Sequence, residues 1–308
     1  MIPILKKDVI KVFNKISNEK IQSIKQIIGK GDVNQVYVIE TSKDKVLLRL
    51  NNERDEFRKE EWCINEAKKK GVLGPEILKV GRLGKITFMA YRFIEGESGK
   101  ESKVEKSQIW RKLGEYARKI NSIKTKGYGD KLITKTGKFS GSWSKFINYN
   151  IKSLNEDDKL IELKVYTEKQ LPIIKKYFIK LKLKKHHVGL THNDLVLGNV
   201  IIDKKGNYIL IDWGCAESNI IPYGEFVEVL GYRLLEYKEL NLTDFYEFSR
   251  GYGFKRGEYE KLKKEIGIFL LLSAFDKLRW AIDKKHKNIK NYVKTAKLRL
   301  KYVLENEY

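Results

Sequence analysis

The chain has 308 residues, with 63 lysines and arginines against 40 aspartates and glutamates, for a net charge of +23. Its 42% apolar content can bury two cores, and four prolines leave little room for a disordered linker. Two cysteines, Cys63 and Cys215, exclude a disulfide framework and point to a reducing cytoplasm, while no run, at residues 1–8 or elsewhere, approaches about 18 apolar residues, so neither secretion nor membrane spanning is expected.

In chain order, Ile28-Gly29-Lys30-Gly31-Asp32-Val33-Asn34-Gln35-Val36-Tyr37-Val38 sets two glycines in a turn before a β-branched run. Such a turn permits positive φ and lets backbone N–H groups approach an anion closely. Val46-Leu47-Leu48-Arg49-Leu50 reads as a strand whose lone cation must find a polar partner. Residues 58–67 read as a helix with apolar positions 62, 63 or 64, and 67, ended by Gly71. Residues 86–96 read as a strand running into a linker, and Leu113 to Ser122 as a helix with an apolar stripe. Helical patterns dominate residues 158–187 and 225–305, and no internal repeat is visible.

The chemistry concentrates in Thr191-His192-Asn193-Asp194 and Gly198-Asn199-Val200-Ile201-Ile202, followed by Tyr208-Ile209-Leu210-Ile211-Asp212-Trp213-Gly214. The two apolar runs flank Asp203-Lys204-Lys205-Gly206-Asn207, which has hairpin turn chemistry, so the hairpin brings Asn199 and Asp212 to one end. A neutral carbonyl oxygen and a carboxylate there suit Mg²⁺ that keeps its other positions for water and phosphate. Asp194, five residues upstream on a loop, then serves an acceptor hydroxyl instead of the metal. His186, His187 and His192 do not make a zinc site, because spacings of one and five residues put no pair on one helical turn and neither cysteine lies among them.

His192-x-Asp194-x4-Asn199 with Asp212-Trp213-Gly214 resembles the catalytic and metal motifs of the aminoglycoside phosphotransferase and choline kinase group. The resemblance covers most of the chain. It implies an α+β, protein-kinase-like two-lobed fold: an N-terminal antiparallel sheet lobe with a helix over residues 1–93, and a larger, mainly helical C-terminal lobe over residues 94–308. It further implies Asp194 as catalytic base, Asn199 and Asp212 as Mg²⁺ ligands, and ATP, with GTP as the alternative, as phosphoryl donor. Gly29, Gly31 and Asn34 match the family's phosphate-covering turn, and Arg49 its strand cation. Glu60 is the acid that pairs with that cation, Glu61 being its near competitor. The strand end Ala90-Tyr91-Arg92-Phe93 matches the hinge whose backbone meets adenine. Asn193 and Trp213, where protein kinases have Arg and Phe, and the lack of an Ala-Pro-Glu segment favour a small-molecule acceptor. Asn121, Gly127-Tyr128-Gly129, Trp143 and the segment around Phe275-Asp276 also resemble structural markers of the group.

Charge is unevenly spread. Residues 212–248 hold eight acids and two bases, a net of −6, against +29 for the rest. A cationic, hydroxyl-bearing small molecule is therefore the expected partner, with Glu217 and Glu225 the first acids to meet it and Tyr223, Phe226, Tyr232, Tyr237, Phe245 and Tyr246 available for stacking. The lysines elsewhere are scattered without an aromatic-interleaved motif, so nucleic acid is not an expected partner. The expected activity is transfer of the ATP γ-phosphoryl group to a hydroxyl of an amine-bearing, aminoglycoside-like substrate. Choline or ethanolamine kinase is the alternative, and a non-catalytic kinase-fold binding protein the third.

Overall fold

A computed structural model describes residues 4–28, 34–52, 57–255 and 257–305. Two compact units emerge: Met1–Lys103 with Leu197–Gly214, and Val104–Val196 with Cys215–Tyr308. Among the described residues no helix is long and apolar enough to cross a membrane.

The first unit begins with α1 (Lys6–Phe13), then β1 (Ile21–Ile27), β2 (Gln35–Thr41), β3 (Lys45–Asn51), α2 (Phe57–Lys69), β4 (Ile77–Leu83) and β5 (Ile86–Arg92). The strands form one antiparallel sheet in the order β1-β2-β3-β5-β4. Alternation along β3 decides its function: Val46, Leu48 and Leu50 pack with Val9, Val12 and Phe13 of α1, so Arg49 points to the other face. That face meets α2, whose buried positions Glu60, Cys63, Ile64 and Ala67 follow the helical repeat. Trp62, expected on the buried stripe, is only half-buried, because the stripe is centred on Glu60 and Cys63.

Short β6 (Gly96–Ser98) precedes the second unit, which runs through α3 (Lys106–Asn121), β7 (Tyr128–Ile133), β8 (Lys138–Gly141), α4 (Trp143–Lys152), α5 (Lys159–Glu162), α6 (Leu171–Leu183) and β9 (His187–Thr191). The chain then returns to the first unit for the hairpin β10 (Val200–Asp203) and β11 (Tyr208–Leu210), which adds to β6 in the order β11-β10-β6. It closes in the second unit with β12 (Glu217–Ile221), α7 (Tyr223–Val227), a π-helical segment Glu228–Glu236, α8 (Leu242–Tyr252), α9 (Glu258–Asp283) and α10 (Ile289–Glu305). A second sheet, β8-β7-β12-β9, presents the end of β9 to the loop that holds Asp194. Helices α3 and α8 cross closely because Gly114 and Gly251 face each other's backbone: a Cβ on Gly114 would meet Phe248 O at 2.0 Å, and one on Gly251 would meet Arg111 O at 1.9 Å. Asn121, at the end of α3, donates to Leu190 O at 3.0 Å and accepts from Tyr252 Oη at 2.9 Å, tying both helices to β9.

Candidate active site

The β10–β11 turn forms as its residues dictate. Asp203 Oδ1 accepts from the backbone N–H groups of Lys205 and Asn207, and Gly206 takes the positive φ of 78° that closes it. At the open end Ile211 N donates to Asn199 O at 2.9 Å, so Asn199 and Asp212 share one end of the hairpin. Asp212 adopts φ 59°, a left-handed backbone that costs a non-glycine residue about 1 kcal/mol. Lys59 of α2 holds this turn by donating to Gly214 O at 2.8 Å.

Arg49 Nη1 donates to Glu60 Oε2 at 2.5 Å, and its Nη2 to Asp212 Oδ1 at 3.3 Å. Arg49 is 8% exposed and Glu60 2%, whereas half of the Asp212 side chain faces solvent. Burial alone would depress the guanidinium, but Glu60, Tyr91 and Asp212 carry it above its usual value, so Arg49 remains charged. This places a fixed cation, a buried acid and a half-open carboxylate in one unit with the Asn199 amide. The oxygen-only donor set of Asn199 and Asp212 fits Mg²⁺, which keeps several waters and phosphate oxygens around it. Among the described residues no group of three or more His, Cys, Asp or Glu side chains could hold a metal ion.

Asn34, Ala90, Tyr91, Arg92 and Phe93, also expected around a nucleotide, lie in the same unit. Gly29 and Gly31 fall outside the described residues. Asn34 Oδ1 accepts from Asn51 Nδ2 at 2.9 Å, which fixes its side chain beside the end of β3. Ala90 and Tyr91 are buried in β5, and burial pushes the Tyr91 hydroxyl up to about 12. Arg92 is exposed and paired with Asp44 and Glu76. The Phe93 N–H donates to Lys45 O at 2.8 Å, and Lys45 Nζ lies 4.3 Å from the centre of its ring.

In the second unit, Asp194 follows the buried His192 and Asn193, the latter at φ 60°. Glu225 fixes this bend: its carboxylate accepts from His192 N at 2.5 Å and Asn193 N at 3.3 Å. Glu225 is fully buried, and burial pushes its carboxyl up to about 8. The sequence expects it to meet a substrate; instead it faces the backbone of the Asp194 loop, where two N–H groups need an acceptor. Asp194 Oδ1 accepts from Arg233 Nη2 at 2.6 Å.

A cavity of about 520 Å³ opens within this unit, beside Asn193. Four acids line it, Asp130, Glu217, Glu228 and Asp276, with Lys131, Lys145 and Lys277 and the rings of Tyr128, Phe146, Tyr232 and Phe269. Glu217, an acid of the acidic segment, lines the cavity, while Asp130 and Asp276 come from outside that segment. Asp276 is held from behind by a buried relay: Asn150 Nδ2 donates to its Oδ1 at 3.0 Å, and Arg279 bridges Asn150 and Asp158 at 3.0 and 2.6 Å. Of the aromatic residues in the acidic segment only Tyr232 lines the cavity; Phe226 packs into a buried cluster with Phe245 and Phe248, and Tyr223 stacks on Phe269.

A strand cation locked to a helix acid, a hairpin bearing Asn199 and Asp212, and a mainly helical unit carrying Asp194 define a small-molecule kinase of protein-kinase-like fold. The model of the phosphotransferase enzyme family, APH, matches residues 25–221, and the chain belongs to that family. It is similar in structure to aminoglycoside phosphotransferase APH(4)-Ia, with a TM-score of 0.69, 16% identity and 98% of each chain covered. It also resembles spectinomycin phosphotransferase, APH(9)-Ia, in complex with ADP and spectinomycin, with a TM-score of 0.57, 16% identity, and 97% of this chain and 94% of that one covered. A complex of gentamicin with APH(2")-IIa aligns with a TM-score of 0.62 at 15% identity over 97% of each chain. No curated protein matches the chain by sequence.

Proposed function

We propose that the chain transfers the γ-phosphoryl group of ATP to a hydroxyl of an amine-bearing small molecule in the cytoplasm. The observation that carries this reading is the buried Arg49–Glu60 pair with its second guanidinium nitrogen on Asp212. A cation so deeply buried needs one acid for neutrality; its second contact, to a half-exposed carboxylate on the metal-type hairpin, directs it to where phosphates would bind. In this reading residues 1–93 bind the nucleotide, and residues 94–308 carry the catalytic loop and the acceptor.

Asn199 and Asp212 would hold Mg²⁺, which supplies charge neutralisation at the nucleotide phosphates. Arg49 orients and neutralises phosphate oxygens, and Glu60 keeps Arg49 extended. Asp194 orients the acceptor hydroxyl and takes its proton as the oxygen bonds to the γ-phosphorus. The bond from that phosphorus to the β–γ bridging oxygen breaks, and ADP leaves. Glu217, Asp130 and Asp276 give the cavity the charge to receive an ammonium group, and Tyr128 and Tyr232 give it faces to pack against.

Similar structures carry ADP with hygromycin B, and gentamicin, in their complexes, which favours a polyamine alcohol. Choline or ethanolamine is the second reading, favoured by the aromatic lining and by the His192-Asn193-Asp194 spelling. A nucleotide-consumption screen with Mg²⁺ against aminoglycosides, choline and ethanolamine tests both readings. Acceptor-dependent turnover in the native protein, cut on the order of 10²–10⁴-fold in Asp194→Asn, is expected; equal turnover in the two proteins removes Asp194 from the reaction.

A further inference from the structure

Asp194 does not stand alone. Arg233 Nη2 donates both to Asp194 Oδ1 at 2.6 Å and to Glu228 Oε1 at 2.9 Å, while Nη1 donates to Glu239 Oε2 at 3.1 Å. The guanidinium carbon lies 5.9 Å from the centre of the Tyr237 ring. The Arg233 and Glu228 side chains are largely withdrawn from water, at 13% and 8% exposed, while Asp194 and Glu239 are more open. Lys277 and the buried Arg299 act on Glu228 from α9 and α10, and Glu225 faces the backbone of the Asp194 loop.

Arg233 is carried by the π-helical segment Glu228–Glu236, a rare backbone form that tends to mark functional positions. The segment is pinned at its far end, where Glu236 accepts from Arg299 Nε at 2.7 Å and from Thr295 Oγ1 at 3.0 Å. The planar guanidinium fork on Asp194 Oδ1 fixes the orientation of that carboxylate. Glu228 and Glu239 hold the guanidinium from its other sides, so the orientation that Arg233 gives Asp194 is itself fixed. Glu228 joins this cluster to the cavity, which it also lines.

We infer that Arg233 is a positioning residue that sets the plane of the Asp194 carboxylate toward the acceptor hydroxyl, with Glu228 and Glu239 holding the guanidinium in place. The inference rests on the phosphoryl-transfer reading above. A double-mutant cycle tests it with the full chain, Mg-ATP and the acceptor found in the screen. Arg233→Gln lowers kcat on the order of 10-fold to 100-fold and leaves the KM for nucleotide unchanged. Arg233→Lys, which keeps the charge but not the planar fork, recovers part of the loss. In the Asp194→Asn background Arg233→Gln costs nothing further, because a group acting through Asp194 has nothing left to act on. Native kcat in Arg233→Gln beside an inactive Asp194→Asn overturns the inference and leaves the reaction as proposed, as does a further full loss when the two are combined. Native turnover in Asp194→Asn overturns the reaction itself. Should Arg233→Gln lose cooperative melting through repulsion of the exposed acids, Arg233→Gln/Glu228→Gln relieves it. A low kcat in that protein supports positioning, and native kcat refutes it.

Discussion

Replacing Glu60 by Gln keeps the shape of the side chain and removes the charge opposite Arg49. The two side chains are 3% and 10% exposed, so the surviving guanidinium cannot be rescued by bulk water. Removing one partner of a buried pair costs about 3–5 kcal/mol. Here Asp212 Oδ1 remains 3.3 Å from Nη2 and a glutamine carbonyl can still accept from Nη1, which puts the loss at the lower end, about 3 kcal/mol. For a chain of this size that lowers the melting midpoint by roughly 5 °C. Arg49 then leans on Asp212 rather than lying extended between two acids, so kcat/KM for the nucleotide falls on the order of 100-fold. Thermal melting with and without saturating Mg-nucleotide, alongside steady-state turnover, reads both effects; the stabilisation by nucleotide shrinks with its affinity. A midpoint within about 1 °C of native and an unchanged kcat/KM would refute the claim that Glu60 holds Arg49 in place.

Asp212→Asn should abolish Mg²⁺-dependent nucleotide binding in calorimetry with the second unit's melting intact; retained Mg²⁺ dependence removes Asp212 from the metal. Glu225 gives a pH dependence. Its folded value, pushed to about 8, lies above the ordinary 4.5, so the stability linked to it is full below about 4.5 and is lost as pH rises through 8. The melting midpoint therefore falls between roughly pH 5 and pH 8, and Glu225→Gln flattens that slope; a parallel slope in both proteins contradicts the assignment. Asp276→Asn should raise the acceptor KM about tenfold or more while the nucleotide KM holds, as a lost charge contact in a cavity does. Equal effects on both substrates would place Asp276 outside acceptor binding.

What the sequence made legible was local. Hairpin turn chemistry at residues 203–207 led directly to the shared end of Asn199 and Asp212, and the lone cation of β3 announced a polar partner, which Glu60 provides. Charge counting over residues 212–248 located an acidic region but could not say what each acid meets. Glu236 is taken by Arg299, Glu239 by Arg233, Asp244 by the cap of α8 and Glu247 by Arg250, while Glu225 is spent on the loop backbone. Of that segment's acids only Glu217 and Glu228 line the cavity. Other placements depend on contacts far apart in sequence: within the second unit Arg233 reaches back 39 positions to Asp194, and within the first Lys59 reaches forward 155 to Gly214. No periodicity encodes such pairs. The one sequence signal for Arg233 was its being one of two bases amid eight acids.

Phosphorus NMR of a reaction containing native protein, Mg-ATP and one amine-bearing alcohol tests the central claim most directly. The account predicts that the γ-phosphate resonance disappears as a phosphate monoester of the acceptor grows in equal amount, and that Asp194→Asn produces neither change. Release of inorganic phosphate alone, or an ester formed equally well by the Asp194 variant, would contradict it.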